Sequence, residues 1–397
     1  MRKFHVALPE EIKKGETTDI YFLHAREVLE KNGFKNKKTT AEFSANDLPN
    51  GWNWAVFCGL EEVITLMEGS PIDLYSIPEG TVFTPFDRRG FRVPVMIIEG
   101  KYTDFALSET PLLGLICQAS GIATKAARIK ALAKDKTVLS FGIRRMHPAI
   151  CPMIDRSAFI GGCDEVSSLA GAKIIGREPK GTMPHSLIIC FGDQRKAWKA
   201  FDETMPPSVS RIALVDTYWD EKAEAINAAE TLKQNLEGIR LDTPSSRKGN
   251  LAEIVKEIRW ELDLRGWNKV KILVSGGIRE ENIEELIRAG VDGFGIGTSI
   301  SSARSVDYSM DLVEFDGKPC AKRGRISGKK LVYKCESCNE ISVTPESRPK
   351  EHCSCGGRLK PLLKQYLKNG KLVRELPSPE KIRGYTLEQI QKMKSLK

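Results

Sequence analysis

Residues 269–299 have the sequence KVKILVSGGIREENIEELIRAGVDGFGIGTS, and this stretch decides the fold class. An aliphatic run ends in Ser275, Gly276 and Gly277, a charged helix-like segment follows, and a second apolar run ends in further glycines. Two short strands joined by a helix form a βαβ unit, in which the strands lie parallel. The stretch therefore predicts an α/β protein with a parallel sheet.

The same alternation of strand and helix begins at about residue 137. The strand-like runs TVLSFG, RIALVD and GIRLD are each followed by a helix-like run. The helix before KVKILV places five apolar residues on one face and charged residues opposite; the apolar residues are Leu251, Ile254, Val255, Ile258 and Leu262. Repeated βα units predict a parallel sheet, either open or closed into a barrel.

Polar residues and glycines follow these strands at their carboxyl ends. Both a barrel and an open α/β sheet bind ligands at that edge, so we expect one site there. Its predicted members are Arg144, Arg145, Asp216, Asp242, Ser275 to Gly277 and Gly295 to Thr298.

The segments around this core differ from it in pattern. The first hundred residues mix one helix-like run with short apolar segments bounded by Pro and Gly, which favours an α+β domain. We expect an N-terminal α+β domain over residues 1–105, an irregular α/β barrel over 106–300, a return segment over 301–330 that packs on the N-terminal domain, a zinc-binding module over 331–362 and a basic tail over 363–397.

The charge of the chain is concentrated at its C-terminal end. The net charge is +9, but residues 318–397 hold 20 Lys and Arg against 7 Asp and Glu, whereas residues 1–317 hold 41 against 45. A nucleic-acid-binding function for the core is therefore not expected. The sequence has no long apolar run and no signal-like N-terminus, which predicts a cytoplasmic protein without a membrane contact.

Four of the ten cysteines cluster as CESC, fourteen residues, then CSC. Four thiolates on two turns suit a tetrahedral structural Zn²⁺, with Cys335, Cys338, Cys353 and Cys355 as the ligands. Because the second pair is Cys-x-Cys, His352 is an alternative to one thiol, and four free thiols are the other alternative. The remaining six cysteines are scattered, so disulfides are not expected.

Three further motifs allow a functional and a structural interpretation. The glycines after two adjacent strands either bind phosphate through backbone N–H groups or make tight turns. Arg144 and Arg145 in SFGIRRMHP either hold an anion or are solvated. His185 in GTMPHS is, on its own, more often a satisfied polar residue, and it has neither a second metal-spaced histidine nor a catalytic-triad partner.

Taken together, seven motifs resemble those of the nicotinate phosphoribosyltransferases in order and spacing: TTDIYFLHAREVL, FGIRRMHP, GTMPHS, LVDTYWDE, GIRLD, VSGGI and VDGFGIGTS. The similarity covers residues 17 to about 330 and is greatest to the shorter archaeal-type members, some of which carry a C-terminal zinc-binding extension. It implies an N-terminal domain packed on an irregular α/β barrel, in a homodimer or higher homo-oligomer with shared active sites. The implied reaction joins nicotinate and phosphoribosyl pyrophosphate, with Mg²⁺, and is coupled to ATP hydrolysis.

The resemblance also assigns roles to residues. His185 matches the histidine that ATP phosphorylates, and Asp216 and Asp242 match acidic strand ends that serve catalysis. Nicotinate would contact Phe141, Arg144 and Thr182, with Tyr21 of the neighbouring subunit on the other face of the ring. Phosphoribosyl pyrophosphate would contact Arg145, Arg240, Ser275, Gly276, Gly277, Gly295, Gly297 and Thr298. The segment TPSSRKGN departs from the family's Ser-Gly-Asp after Asp242, and Pro184 is a less common choice.

Three other functions are compatible with parts of the sequence. Quinolinate phosphoribosyltransferase shares the architecture but needs a more cationic base pocket and no phosphorylated histidine. Nicotinamide differs from nicotinate by one contact. A basic zinc-ribbon protein that binds nucleic acid would explain the tail but not the arginines and glycines of the barrel.

Overall fold

A computed structural model describes residues 4–242 and 249–395 of the 397-residue chain. The α-helices are α1 Pro9–Lys13, α2 Ile20–Lys31, α3 Leu60–Met67, α4 Tyr102–Phe105, α5 Glu109–Ala133, α6 Cys151–Ile160, α7 Leu169–Ile175, α8 His185–Phe191, α9 Gln194–Thr204, α10 Glu221–Leu232, α11 Leu251–Leu264, α12 Glu280–Ala289, α13 Thr298–Ser301 and α14 Pro379–Ser395. The strands are β1 Lys38–Asp47, β2 Ala55–Val56, β3 Asp73–Ser76, β4 Val82–Phe83, β5 Pro94–Lys101, β6 Thr137–Ser140, β7 Glu165–Val166, β8 Ile212–Leu214, β9 Gly238–Leu241, β10 Lys271–Ser275, β11 Gly293–Ile296, β12 Asp307–Phe315, β13 Lys318–Pro319, β14 Lys330–Cys335, β15 Ile341–Pro345, β16 Leu359–Pro361, β17 Lys364–Lys368 and β18 Lys371–Leu372.

The chain folds into two compact units. The first consists of residues 1–124 and 304–397, and the second consists of residues 125–303. The boundary runs through α5, a 25-residue helix. The finer division into five segments stays a prediction.

The first unit is built on a seven-stranded sheet with the order β13-β12-β1-β5-β3-β17-β18. Strand β1 pairs antiparallel with both β12 and β5, so that Phe43 lies opposite Met310 and Met96. Phe43 is fully buried in the core of this unit, together with Phe57 and Leu60. The residues after 304 thus return to the N-terminal sheet.

The second unit is built on six parallel strands in the order β7-β6-β11-β10-β9-β8. Strands that follow one another in the chain pair side by side from β8 to β11 and from β6 to β7. Strand β11 then pairs back with β6, so that the order follows a circle around the sheet. The exception among the described strands is the junction of β7 and β8, which end the ladder on either side. Helices connect the strands, because parallel neighbours need a crossover connection. The predicted irregular α/β barrel is confirmed.

Apolar strand residues explain this core. Val138, Ile239, Ile272 and Phe294 are fully buried, one on each of four adjacent strands. Helix α11 buries Val255, Ile258 and Leu262 as its pattern predicts, whereas Leu251 and Ile254 are half-buried.

The part between β7 and β8 was not foreseen in the sequence. Strand β7 has two residues, and α7, α8 and α9 follow it with glycines and prolines between them. Elements as short as β7, α7 and α8 carry too few periodic residues to be recognised. None of the helices that the structure describes has the length and hydropathy to span a membrane.

Candidate active site

A cavity of about 950 Å³ opens at the carboxyl ends of the barrel strands. It is lined by the segments that follow β6, β9, β10 and β11 and by the residues before and at the start of α8. Thirteen of the predicted site residues line it: Phe141, Arg144, Arg145, Thr182, His185, Arg240, Asp242, Ser275, Gly276, Gly277, Gly295, Gly297 and Thr298. The structure therefore brings together residues that are up to 157 positions apart in the sequence.

His185 is the first residue of α8 and follows Pro184, whose backbone is extended. Its Nδ1 lies 3.1 Å from the hydroxyl of Thr217. Its Nε2 lies 3.7 Å from Oδ1 of Asp216 and 3.8 Å from Oδ2 of Asp242. The ring is 36% exposed, so it faces the cavity while both nitrogens have polar neighbours.

Asp216 lies beneath the cavity with a fully buried side chain. Its Oδ2 accepts a hydrogen bond of 2.7 Å from the backbone N–H of Asp242, but its Oδ1 has no hydrogen-bond partner. Burial raises the pKa of this carboxyl group to about 6. An unpartnered buried oxygen is costly, so Oδ1 is suited to carry a proton when the carboxyl group is neutral.

A hydrogen-bond chain fixes Asp242. Arg240 donates to Ser275 Oγ at 3.2 Å and to the Met183 carbonyl at 3.0 Å, and Ser275 donates to Asp242 Oδ1 at 2.9 Å. Burial lowers the pKa of Arg240 from its ordinary value. The carboxylate of Asp242 is therefore oriented before any ligand enters.

Glycine is favoured by the backbone or required by the available space at two places in the site. Gly276 and Gly277 have φ values of 79° and 67°, in the left-handed region that glycine adopts most readily. A Cβ on Gly295 would lie 2.7 Å from the ring of Phe141. The ring of Phe141 can lie against the end of β11 only because residue 295 lacks a side chain.

Two predicted members have other positions, and one segment of interest is only partly described. Tyr21 belongs to the first unit, on α2, and is 59% exposed. Asp216 lies next to His185 but does not line the cavity. Of the segment TPSSRKGN, residues 243–248 lie outside the described part of the chain.

The structure adds residues that were missed in the sequence. Thr217 contacts His185, and Ser167, Arg279 and Ser299 line the cavity. Thr217 directly follows the acidic strand end Asp216, and this adjacency was a usable signal. Ser167 lies after β7, a strand too short to recognise, so nothing pointed to it.

The four cysteines of the first unit form one cluster. Cys335 ends β14, which pairs with β15 and β16 in a three-stranded antiparallel sheet. All four sulfurs lie within 4.8 Å of one another, with separations of 3.5 Å for Cys335 and Cys355 and 3.8 Å for Cys338 and Cys353. Four sulfurs around Zn²⁺ at about 2.3 Å would be about 3.8 Å apart. The cluster fits structural zinc.

Two neighbours support this arrangement. A Cβ on Gly357 would lie 2.7 Å from the Cys335 sulfur, so a glycine is needed there. His352 is not a member of the cluster; its backbone forms an isolated antiparallel bridge with Arg358.

Comparisons with known proteins agree with this architecture. The N-terminal domain family of quinolinate phosphoribosyl transferase matches residues 19–120, and the corresponding C-terminal domain family matches residues 122–311. The nicotinate phosphoribosyltransferase of Bacillus subtilis (strain 168) is 31% identical over 343 residues, which are 76% of this chain and 67% of that protein.

Two solved structures extend the comparison. One, described as nicotinate-nucleotide pyrophosphorylase from Pyrococcus furiosus, is 52% identical, covers 99% of both chains and gives a TM-score of 0.95. Human nicotinic acid phosphoribosyltransferase shares the fold at 19% identity, with 94% of both chains covered and a TM-score of 0.75. This chain therefore belongs to the nicotinate phosphoribosyltransferase family.

Proposed function

We propose that this protein transfers the phosphoribosyl group of phosphoribosyl pyrophosphate to nicotinate, which yields nicotinate mononucleotide and pyrophosphate for NAD biosynthesis. The observation that carries the proposal is the cavity at the strand ends, where arginines and glycine turns meet one histidine and two carboxylates. Such a site can hold a multiply charged anion and stabilise a developing cation beside it. The name of the Bacillus subtilis relative supports the same reaction.

The phosphoribosyl donor would lie along β10 and β11. Backbone N–H groups at Gly276, Gly277, Gly297 and Thr298 would receive the 5′-phosphate, as glycine turns before a helix commonly do. Arg145 extends from a 3₁₀ turn, Ile143–Arg145, and would bind the pyrophosphate.

Nicotinate would stack on Phe141, with its carboxylate near Arg144 and Thr182. All three residues line the cavity. The second face of the pyridine ring would be covered by Tyr21 of the partner subunit in a homodimer, and the exposed position of Tyr21 on α2 is compatible with this role.

Displacement of pyrophosphate builds positive charge at C1 of the ribose. The carboxylate of Asp242 accepts a hydrogen bond from Ser275 and would stabilise that charge. Asp216 would hold Asp242 in place, because its carboxylate accepts a hydrogen bond from the backbone N–H of Asp242. The carboxylate of Asp242, which lines the cavity, would also hold Mg²⁺. When bound, Mg²⁺ neutralises the pyrophosphate leaving group.

His185 would take a phosphoryl group from ATP. The Thr217 hydroxyl lies 3.1 Å from Nδ1, so the tautomer with a proton on Nδ1 donates to that hydroxyl and leaves the lone pair on Nε2, beside Asp242 of the cavity lining. In the transfer, Nε2 forms a bond to the γ-phosphorus while the terminal anhydride bond breaks and ADP leaves. Water later hydrolyses the phosphohistidine to phosphate, which couples ATP to turnover.

The C-terminal module would bind one Zn²⁺ through Cys335, Cys338, Cys353 and Cys355. The ion would be structural, since all four ligand positions are thiolates and none is left for substrate.

Quinolinate phosphoribosyltransferase is the second candidate, because both matching domain families carry that description and four arginines line the cavity. A product assay separates the candidates. The purified chain is incubated with phosphoribosyl pyrophosphate and with nicotinate, nicotinamide or quinolinate, with and without ATP. We expect product from nicotinate and a higher rate with ATP; product from quinolinate with release of CO₂ would replace the proposal by the second candidate.

A further inference from the structure

Glu224 is a fully buried acid that lies outside the cavity. It lies in the first turn of α10, and its carboxylate accepts hydrogen bonds from three consecutive backbone N–H groups. Oε2 accepts from Thr217 at 3.1 Å, and Oε1 accepts from Tyr218 at 2.7 Å and from Trp219 at 2.9 Å. One buried side chain thus determines the backbone of the loop after β8.

This loop carries the hydrogen-bond partner of the histidine. The hydroxyl of Thr217 lies 3.1 Å from Nδ1 of His185, and the loop begins directly after Asp216. If the backbone of Thr217 moves, the hydroxyl moves with it. The orientation of His185 therefore depends on a carboxylate that does not touch it.

We infer that Glu224 is a positioning residue for His185, acting through Thr217. With the proton of His185 on Nδ1, Nδ1–H donates to the Thr217 hydroxyl, which holds the ring in the orientation in which the lone pair of Nε2 can attack phosphorus. A buried acid that fixes a hydrogen-bond acceptor for a histidine sets both the tautomer and the direction of the ring. The inference rests on the proposed phosphorylation for its catalytic consequence but not for its geometry.

Glu224→Gln is the decisive variant because it separates the three contacts. The amide oxygen can still accept from Tyr218 and Trp219, whereas the amide NH₂ group would face the N–H of Thr217, donor against donor. Asp220→Asn is the matched control. It removes a carboxylate charge at the N-cap of the same helix, keeps an oxygen for the cap bond to Ala223, and does not touch Thr217.

The direct measurement is the long-range ¹H–¹⁵N spectrum of ¹⁵N-histidine protein without ATP. The chain has five histidines, so the His185 signals are assigned by their loss in His185→Ala. We expect Glu224→Gln and Thr217→Val to shift the Nδ1 signal of His185, while Thr217→Ser and Asp220→Asn leave it as in the wild type. If Glu224→Gln does not fold, Glu224→Asp, which keeps the charge but shortens the reach, is measured instead.

The second measurement is the rate of labelling from γ-³²P ATP. It should fall by up to about 100-fold in Glu224→Gln and in Thr217→Val, since small misplacements of a reacting group have effects of that size, and stay unchanged in Asp220→Asn. Unchanged His185 signals in Glu224→Gln would overturn the positioning role. Shifted signals in a protein that is never labelled would instead overturn the phosphorylation and keep the positioning.

Discussion

At the scale of single residues, a buried acid and a histidine lie side by side in the site. Asp216 is buried with one oxygen unpartnered, and Nε2 of His185 lies 3.7 Å from that oxygen. In the proposed function the proton of His185 is held on Nδ1 by the Thr217 hydroxyl, so that Nε2 keeps its lone pair beside the two carboxylates. The neighbours of the two ring nitrogens thus determine which of them can act as the nucleophile.

His185→Ala should abolish labelling by γ-³²P ATP and ATP hydrolysis, while slow synthesis of nicotinate mononucleotide continues without ATP. In the proposed function the phosphoryl group would assist the transfer, whereas Asp242 and the bound pyrophosphate would carry the chemistry at C1. Labelling and product formation are measured on the same preparation. His5→Ala is the control, and labelling that persists in His185→Ala, or that is acid-stable in the wild type, contradicts the assignment.

Asp216 should make stability depend on pH. Burial raises its pKa to about 6 in the folded protein from an ordinary value of 3.8, so the folded state binds this proton more tightly than the unfolded chain. The contribution of the group is therefore fully present below about pH 4 and is lost as the pH rises to about 6, at a cost of up to about 3 kcal/mol at pH 7. Asp216→Asn removes this cost and the catalytic support together.

We expect Asp216→Asn to unfold at higher denaturant concentration than the wild type at pH 7, with a difference that shrinks toward pH 4, and to be far less active. The free energy of unfolding is measured by urea titration across this range. Asp135→Asn, at a carboxylate that is 82% exposed, serves as the control and should show no such trend. A difference that grows as the pH falls would show that the folded-state pKa is not raised.

Single residues of the site differ in how well the sequence predicts them. The strand-end arginines and glycines follow directly from βα periodicity, and the structure places them around one cavity. The contacts of Glu224 could not be predicted from the sequence, because they involve three backbone N–H groups that only the folded loop brings to it. A buried acid in a helix gives no signal in sequence that separates it from a solvated one.

At the scale of elements, the neighbouring strands β6 and β11 allow a test of the nicotinate position. Gly295→Ala places a Cβ about 2.7 Å from the Phe141 ring, which must then move. We expect a KM for nicotinate raised by roughly tenfold, a smaller change in kcat, and a loss of stability of about 1–3 kcal/mol from overpacking. Steady-state kinetics and thermal unfolding measure both effects.

The control for Gly295→Ala is Gly114→Ala. Gly114 lies within α5 and a Cβ there meets nothing within 4 Å. Alanine should stabilise the helix by up to about 1 kcal/mol and leave the KM unchanged. An unchanged KM for nicotinate in Gly295→Ala would place the base away from Phe141.

The cysteine cluster should hold its three strands together through the metal. Cys355→Ser removes one of four thiolates, so we expect less than one bound zinc per chain and faster hydrogen exchange in residues 330–361, because metal binding and local folding share their free energy. Residues 125–303 should exchange as in the wild type. Elemental analysis and exchange mass spectrometry measure this, with Cys320→Ser, an exposed cysteine outside the cluster, as the control.

A gently purified wild type that contains no metal would contradict the zinc proposal. So would a Cys355→Ser protein whose residues 330–361 exchange at the wild-type rate.

Elements were predictable in proportion to their length and regularity. Strands β6, β8, β9, β10 and β11 were predicted from β-branched runs bounded by glycine or acid. The segment with β7, α7 and α8 was not, although it carries His185, because each of these elements is short. The family motif identified the histidine where periodicity did not.

At the scale of the whole molecule, pairings between distant segments determine the two units. Strand β12 returns to pair with β1, and Lys330 forms a 2.7 Å ion pair with Glu42 across 288 positions. Burial raises the pKa of Glu42 to about 7. Sequence patterns predicted a return segment but could not identify the partner strand or this buried pair, since local periodicity carries no information on which distant segment will cover a face.

A homodimer with shared active sites, as proposed above, can be tested with mixed dimers. If Tyr21 of the partner subunit covers the nicotinate bound in each barrel, Tyr21→Ala and Asp242→Asn damage different halves of one site. Each variant alone should lose activity, by about 100-fold in kcat for Asp242→Asn, whose charge acts on the transition state.

In a heterodimer, one site combines both mutations and the other combines an intact barrel with an intact Tyr21. After unfolding and refolding an equimolar mixture, about a quarter of all sites should be intact. Activity should therefore rise to about a quarter of the wild-type value in the refolded mixture, but not in separately refolded samples combined afterwards. A refolded mixture that forms heterodimers, detected by a tag on one variant, and yet stays as inactive as its parents would show that each site is built from one subunit.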